Sequence, residues 1–136
     1  MHIGSGRCGR ISGDGRKPGP ATEETPLGNL IADGQLAMTR SAGAQIAVMN
    51  NSGIRAALVP QADGAISYGD IYTVQPFGNT LVTKSFTGAQ LLALLEQQFD
   101  SDGFVQTFSF SDGFALTYDM RRAEGSRVVS AMLNGA

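Results

Sequence analysis

The sequence has few of the side chains that usually carry enzymatic chemistry. Among its 136 residues there is one histidine, His2, one cysteine, Cys8, and no tryptophan. A catalytic zinc or di-metal site usually needs several histidine or cysteine ligands, and a serine nucleophile needs a positioned histidine. The composition therefore predicts no catalytic residue, metal site or cofactor within this chain, and its single cysteine excludes an internal disulfide.

Strong charge and long apolar runs are also lacking. The net charge is −2, which gives no electrostatic case for nucleic acid as a partner. No apolar run approaches the roughly 20 residues of a membrane span, so no membrane partner is predicted. The first residues are glycines and basic groups without an apolar segment, so the sequence predicts no secretory signal and leaves the compartment open.

The remaining composition is that of one globular domain, with 42% hydrophobic and 16% charged residues. Residues 1–22 are dense in glycine and proline, which predicts a flexible tail. Residues 23–136 are predicted to form the domain. Because a final strand is followed by the turn residues Asn134 and Gly135, we expect the domain to continue beyond Ala136.

Two segments carry the apolar periodicity and the end signals of α-helices. Glu23–Arg40 contains a threonine cap followed by proline, and Gly88–Phe99 follows Thr87 in a capping-box pattern. In Ala65–Val74 the apolar positions hold neither period, so a short helix starting near Ser67 and a strand are both open.

The other elements are predicted strands. The apolar run Ile46–Met49 is predicted to be a buried strand, and Phe104–Phe110 and Phe114–Met120 are predicted to pair as a hairpin across a turn with glycine. Thr80–Phe86 and Arg127–Leu133 complete the set. The predicted fold class is therefore α/β (α+β-like): a mixed sheet, two main packed helices and a C-terminal β-hairpin region.

A polar segment follows the strand that ends at Met49. It reads Asn50-Asn51-Ser52-Gly53-Ile54-Arg55 and so offers amides, a hydroxyl and a guanidinium where the chain leaves the core. Gly53 permits either a positive φ or a close approach of the backbone to a neighbour. The same residues are also typical of an ordinary turn.

A second segment, Gln75–Asn79, places Phe77 between Pro76 and Gly78. Proline stops regular structure and glycine permits a sharp reversal. An aromatic side chain held in such a turn either anchors the loop to the core or forms an exposed stacking platform.

Taken in order, the motifs TPLGNLIADGQL, AVMNNSGIR and YGDIYTVQPFGNTLVTKSFTGAQLLALLEQ resemble the C-terminal domain of the 5'-nucleotidase family. The resemblance runs from about Glu23 to Leu133. It implies a parent enzyme that hydrolyses nucleoside phosphates in nucleotide catabolism, with two divalent metal ions in a separate metallophosphatase domain. Relatives of this family are commonly periplasmic or at the cell surface.

The resemblance also implies a role for each matching residue. Asn50 would hydrogen-bond the base, Arg55 would bind near the ribose or stabilise its own loop, and Phe77 would stack on the base. The substrate-binding set implied for a nucleoside or nucleoside monophosphate is Asn50, Ser52, Gly53, Arg55, Phe77, Gly78 and Asn79.

Two other functions compete with nucleoside recognition. The chain could instead serve as a non-catalytic interaction or structural fragment with no ligand site, in which case an open sheet edge would pair with another chain. An enzyme with Asp33 or Asp70 as a base is the least supported, because no nucleophile or metal cluster accompanies either residue.

Overall fold

The computed structural model describes residues 24–99 and 107–136, so the predicted tail lies outside the described residues. Three α-helices and four strands occur in the described part. In chain order they are α1 (Pro26–Thr39), β1 (Val48–Asn50), α2 (Tyr68–Val74), α3 (Gly88–Gln97), β2 (Phe108–Phe110), β3 (Phe114–Tyr118) and β4 (Val128–Leu133). None of the described helices is long and apolar enough to cross a membrane.

Helix α1 begins where the sequence predicts a cap. The Thr25 hydroxyl accepts a hydrogen bond from the Gly28 amide at 3.0 Å, and Pro26 occupies the first helical position. Gly28 lies against β2: a methyl group added there would stand 2.1 Å from the Ser109 hydroxyl oxygen. Glycine therefore permits helix and strand to approach this closely. A 3₁₀ turn, Arg40–Ala42, follows α1.

The strands form two antiparallel pairs, β1 with β2 and β3 with β4. The α/β class is confirmed, although the described strands make two small sheets rather than one mixed sheet. The predicted hairpin between Phe104–Phe110 and Phe114–Met120 is wrong in its pairing, and its residues 104–106 lie outside the described part. The hairpin that forms is β3–β4.

Ser111 explains why β2 does not pair with β3. Its amide donates to the Ala47 carbonyl at 3.1 Å, and its hydroxyl accepts from the Ala47 amide at 2.9 Å. These two bonds extend the contact between β1 and β2 into the turn. The chain then reverses at Gly113, whose φ is 90°, and β3 enters the second sheet.

The predicted strand Thr80–Phe86 is wrong, because residues 80–86 are neither helix nor strand. The segment is rich in β-branched residues, but such residues favour strands when they pack on a pleated, half-buried surface. A strand also needs a neighbour for its backbone groups. Within the described residues no strand pairs with this segment, and each of its residues is exposed.

Helices α2 and α3 both begin with complete capping boxes. The Ser67 hydroxyl accepts from the Asp70 amide and the Asp70 carboxylate accepts from the Ser67 amide, which resolves the open alternative for this segment in favour of a short helix. Thr87 and Gln90 make the same reciprocal pair before α3. The predicted Gly88–Phe99 helix is confirmed with an end two residues earlier, at Gln97.

The main core lies between α1, β1 and the segments that follow β1. Its buried members are Leu27, Ala32, Met49, Ile54, Leu58 and Val74. Full burial of a valine, leucine, isoleucine or methionine side chain contributes about 1.5–3 kcal/mol to the free energy of unfolding. Because Met49, Ile54 and Val74 belong to this cluster, the core itself fixes the ends of β1 and α2, from which the two predicted site segments emerge.

Candidate functional site

The polar segment after β1, Asn50–Arg55, is called the amide loop below. It makes one 3₁₀ turn, Asn51–Gly53, closed by a 3.1 Å hydrogen bond from the Ile54 amide to the Asn51 carbonyl. The Asn51 amide also donates to the Thr107 carbonyl at 3.2 Å, and Ile54 is buried. The loop backbone is thus held by a hydrogen bond at Asn51 and by the buried side chain of Ile54, so the positions of its polar residues are defined.

The polar side chains of the amide loop contact one another at the surface. Asn50 Nδ2 donates to the Ser52 hydroxyl at 2.6 Å, and Arg55 Nη1 donates to the Ser52 carbonyl at 3.3 Å. Asn50 and Arg55 are both exposed. A guanidinium has five N–H donors, so this single bond orients Arg55 while leaving donors that face solvent.

Gly53 is needed for close packing rather than for a left-handed backbone. Its φ is not among the positive values of the described glycines. A methyl group added to it would stand 2.5 Å from Met49 Cε and 3.2 Å from Asn50 Oδ1. Of the two roles that the sequence allows, the close approach is the one observed, and the neighbour is the buried Met49.

The segment Gln75–Asn79, called the aromatic turn below, starts where α2 ends. The Phe77 amide donates to the Gln75 carbonyl at 2.8 Å, which makes a tight three-residue turn around Pro76. The Phe77 side chain is 45% exposed, and Gly78 has open space around it. An aromatic that anchored the loop to the core would be buried, so this exposure argues against the anchor.

The structure brings the amide loop and the aromatic turn together. The Arg55 amide donates to the Val74 carbonyl at 2.8 Å, and Val74 is the residue before the aromatic turn. Underneath, Gln75 Nε2 donates to Met49 Sδ at 3.5 Å, so the last buried side chain of β1 contacts the first residue of the turn. The sequence-predicted segments are therefore neighbours: the amide loop is bonded to the residue before the turn, and the turn is bonded to the residue before the loop.

Sequence reasoning missed the contribution of Met49 and Gln75. The sequence pattern assigns Met49 only to the apolar strand and Gln75 only to the start of a turn. Only their positions in the sequence could have indicated a role at the site: Met49 immediately precedes the amide loop, and Gln75 immediately precedes Pro76-Phe77. Gln35 of α1 also donates to the Met49 sulfur at 3.5 Å, and nothing in its helical pattern indicates this contact.

The two aspartates considered as bases have structural partners. Hydrogen bonds from the Ser67 hydroxyl and amide hold the pKa of Asp70 below its usual range, as expected for a helix-capping carboxylate. Asp33 Oδ1 accepts from the Asp112 amide at 2.6 Å, which ties α1 to the turn after β2. Across residues 24–99 and 107–136, no cluster of three or more histidine, cysteine or acidic side chains is placed to hold a metal ion.

Comparison with known proteins identifies the family of the chain. The family model described as the 5'-nucleotidase C-terminal domain matches residues 8–136. The chain belongs to this family. The resemblance read from the motifs is thereby confirmed, and the α/β fold class is that of a 5'-nucleotidase.

Several 5'-nucleotidases and related phosphoesterases are similar to the chain. The trifunctional nucleotide phosphoesterase protein YfkN of Bacillus subtilis is 38% identical over 122 residues, which cover 88% of this chain and 8% of YfkN. The NAD 5'-nucleotidase of Haemophilus influenzae is 34% identical over 89 residues, covering 62% of this chain and 14% of that enzyme.

Among solved structures, the 5'-nucleotidase precursor of Thermus thermophilus superimposes with a TM-score of 0.72 at 41% identity. That match covers 83% of this chain and 22% of the Thermus chain. The chain spans between 8% and 23% of the length of the curated relatives that it matches. It corresponds, within them, to the C-terminal domain of the 5'-nucleotidase family.

Proposed function

We propose that this 5'-nucleotidase C-terminal domain recognises the nucleoside part of a nucleotide between the amide loop and the aromatic turn. The observation that carries the proposal is the 2.8 Å hydrogen bond from the Arg55 amide to the Val74 carbonyl. It joins a polar loop with exposed Asn50 and Arg55 to the residue just before the turn that carries the exposed Phe77. A base has a π-face for stacking and polar edges for hydrogen bonds, so this pairing of groups suits it.

Each residue of the proposed site has a role that its surroundings support. Phe77 stacks on the base, because its ring is exposed and its backbone is fixed by the turn around Pro76. Asn50 hydrogen-bonds the base. Arg55 contributes donors toward the ribose while its bond to the Ser52 carbonyl steadies the loop. Ser52, Gly53, Gly78 and Asn79 form the remaining backbone and polar surface.

The hydrolytic step belongs, in this proposal, to a metallophosphatase domain of the parent protein. Two divalent metal ions there would activate water for attack on a nucleoside monophosphate or a related ester. The proposed division of work leaves this chain with binding and orientation. Its proposed partners are therefore the nucleoside ligand and the metallophosphatase domain, with no nucleic acid and no membrane.

Titration of the chain with adenosine tests the proposed site. Amide NMR shifts are expected in residues 50–55 and 75–79, and Phe77→Ala is expected to raise Kd about fivefold to 150-fold, from a stacking contribution of about 1–3 kcal/mol. Tyr68→Ala is the matched control, since Tyr68 is an exposed aromatic at the opposite end of α2. Equal Kd values for the wild type and Phe77→Ala would contradict the proposal.

A phosphate-release assay tests the division of work. The chain alone, with AMP and added divalent metal, is expected to release no phosphate above the blank. Turnover that persists through purification and disappears in Arg55→Ala would show that this domain hydrolyses AMP by itself, and the separate catalytic domain would then be unnecessary.

A further inference from the structure

Gln75 has a side chain whose orientation is set by an unusual partner. Its Nε2 donates to the Met49 sulfur at 3.5 Å. A thioether sulfur accepts hydrogen bonds and cannot donate them. The amide must therefore turn its nitrogen toward Met49, and its carbonyl oxygen, Oε1, toward the other side. The sulfur itself is held in place, because Met49 is only 4% exposed.

Gln75 is half-buried, and its Oε1 atom remains available as a hydrogen-bond acceptor. Within the described part of the chain, no donor bonds to it. No buried side-chain nitrogen or oxygen of those residues is without a partner, so Oε1 is not sealed in the core. An oriented hydrogen-bond acceptor at a proposed ligand site is suited to accept a hydrogen bond from a donor group of that ligand.

The position of Gln75 selects the part of the ligand that it would contact. Gln75 and Phe77 leave the same three-residue turn, closed by the 2.8 Å bond between the Phe77 amide and the Gln75 carbonyl. Phe77 carries the proposed stacking face. A side chain on that same turn is a candidate to contact the edge of a stacked base, since Phe77 would occupy the face of the base.

We propose that Gln75 is a specificity-determining residue of the nucleoside site: its Oε1 accepts a hydrogen bond from an N–H donor on the edge of the base stacked on Phe77. The site would accordingly favour bases that carry an amino group on that edge, such as adenine. This inference rests on the proposed function, since it requires a base on Phe77. Met49 acts through Gln75 as a positioning residue and does not contact the ligand.

The test compares Kd values for adenosine, purine riboside, which lacks the amino group, and 2'-deoxyadenosine, which lacks a ribose hydroxyl. The wild type is expected to bind adenosine about threefold to tenfold more tightly than purine riboside, the discrimination typical of one hydrogen bond. In Gln75→Leu this ratio is expected to fall to about one, while the Kd for purine riboside changes little.

Gln35→Leu is the matched control, because Gln35 donates to the same sulfur at the same 3.5 Å but lies in α1, away from the aromatic turn in the sequence. It is expected to keep the full ratio. Met49→Leu is a second variant, which removes the sulfur and leaves Gln75 in place. Its amide is then free to turn, so the ratio is expected to fall there too, even if Gln75→Leu does not fold.

Two results would overturn the inference. One is an unchanged ratio in both Gln75→Leu and Met49→Leu; the other is a loss of discrimination against 2'-deoxyadenosine instead, which would assign the donor to the ribose. Phe77→Ala distinguishes a failure of the Gln75 inference from a failure of the proposed nucleoside site. If nucleosides bind with dependence on Phe77 but not on Gln75, only this inference fails. If the wild type binds no nucleoside, the proposed function fails with it.

Discussion

Alanine at Gly53 should destabilise the fold and alanine at Gly78 should not, although both glycines lie in the proposed site. A methyl group at Gly53 would stand 2.5 Å from Met49 Cε, whereas ordinary carbon contacts lie at about 3.5–4.0 Å. The Met49 methyl must therefore move by about 1 Å. Met49 is buried in the main core and its sulfur is bonded to Gln35 and Gln75, so little room exists for that movement.

The expected magnitudes follow from these surroundings. Overpacking of a filled core costs about 1–3 kcal/mol, so Gly53→Ala should lower the free energy of unfolding by that amount. Gly78 has open space around it and no positive φ. Gly78→Ala should therefore leave stability unchanged or raise it by up to about 1 kcal/mol, since alanine restricts the unfolded chain.

Urea denaturation followed by circular dichroism gives both free energies in one experiment. The midpoint should shift to lower urea for Gly53→Ala and not for Gly78→Ala, with the same slope for the two variants. Adenosine binding should weaken in Gly78→Ala despite its intact fold, because Gly78 directly follows the proposed stacking residue in the turn. Equal urea midpoints for the two variants would refute the close packing of the buried Met49 side chain against Gly53.

Three further predictions concern the helices. Gly28→Ala should lower the free energy of unfolding by about 1–3 kcal/mol because of its clash with β2, whereas Gly34→Ala, with open space, should raise it by up to about 1 kcal/mol; matching urea midpoints would contradict this. The folded-state pKa of Asp70 is lowered, so its contribution to the free energy of unfolding is present above about pH 4 and lost as pH falls through the folded pKa. In Asp70→Asn the free energy of unfolding should therefore fall less steeply with pH below about pH 4, and the same pH dependence in the wild type and the variant would exclude the effect. Thr87→Ala should cost about 1 kcal/mol through the lost cap of α3, measured by thermal unfolding, with no loss expected if the cap is redundant.

The helices were predictable because their signals are local. Thr25, Ser67 and Thr87 each form their caps with residues three positions away, so the relevant partners are visible in the sequence. Helix α1 nevertheless ends one residue before the predicted boundary, and a 3₁₀ turn follows. The end of a helix depends on the packing of its last turn, which sequence patterns describe poorly.

The strand pairing was not predictable in the same way. The choice of β1 as the partner of β2 depends on the bonds between Ser111 and Ala47, which are 64 positions apart. The segment Thr80–Phe86 has strand composition but lacks a pairing strand among the described residues. Composition reports what a segment can form, and only the rest of the fold determines whether a neighbour is present.

The candidate site lies between these cases. Both of its segments are identifiable from turn chemistry and from family resemblance, and the structure places them side by side through Arg55 and Val74. The bond between Gln75 and Met49 was not foreseen. A methionine in an apolar run is expected in a core whether or not its sulfur accepts hydrogen bonds, so the pattern alone does not distinguish the two roles.

The central claim, that one nucleoside binds between the amide loop and the aromatic turn, is tested most directly by intermolecular nuclear Overhauser effects. With adenosine bound to the chain, contacts are predicted between the adenine ring protons and the Phe77 ring, together with amide shifts confined to residues 50–55 and 75–79. Contacts from adenine to any other aromatic side chain, with Phe77 unaffected, would contradict the account.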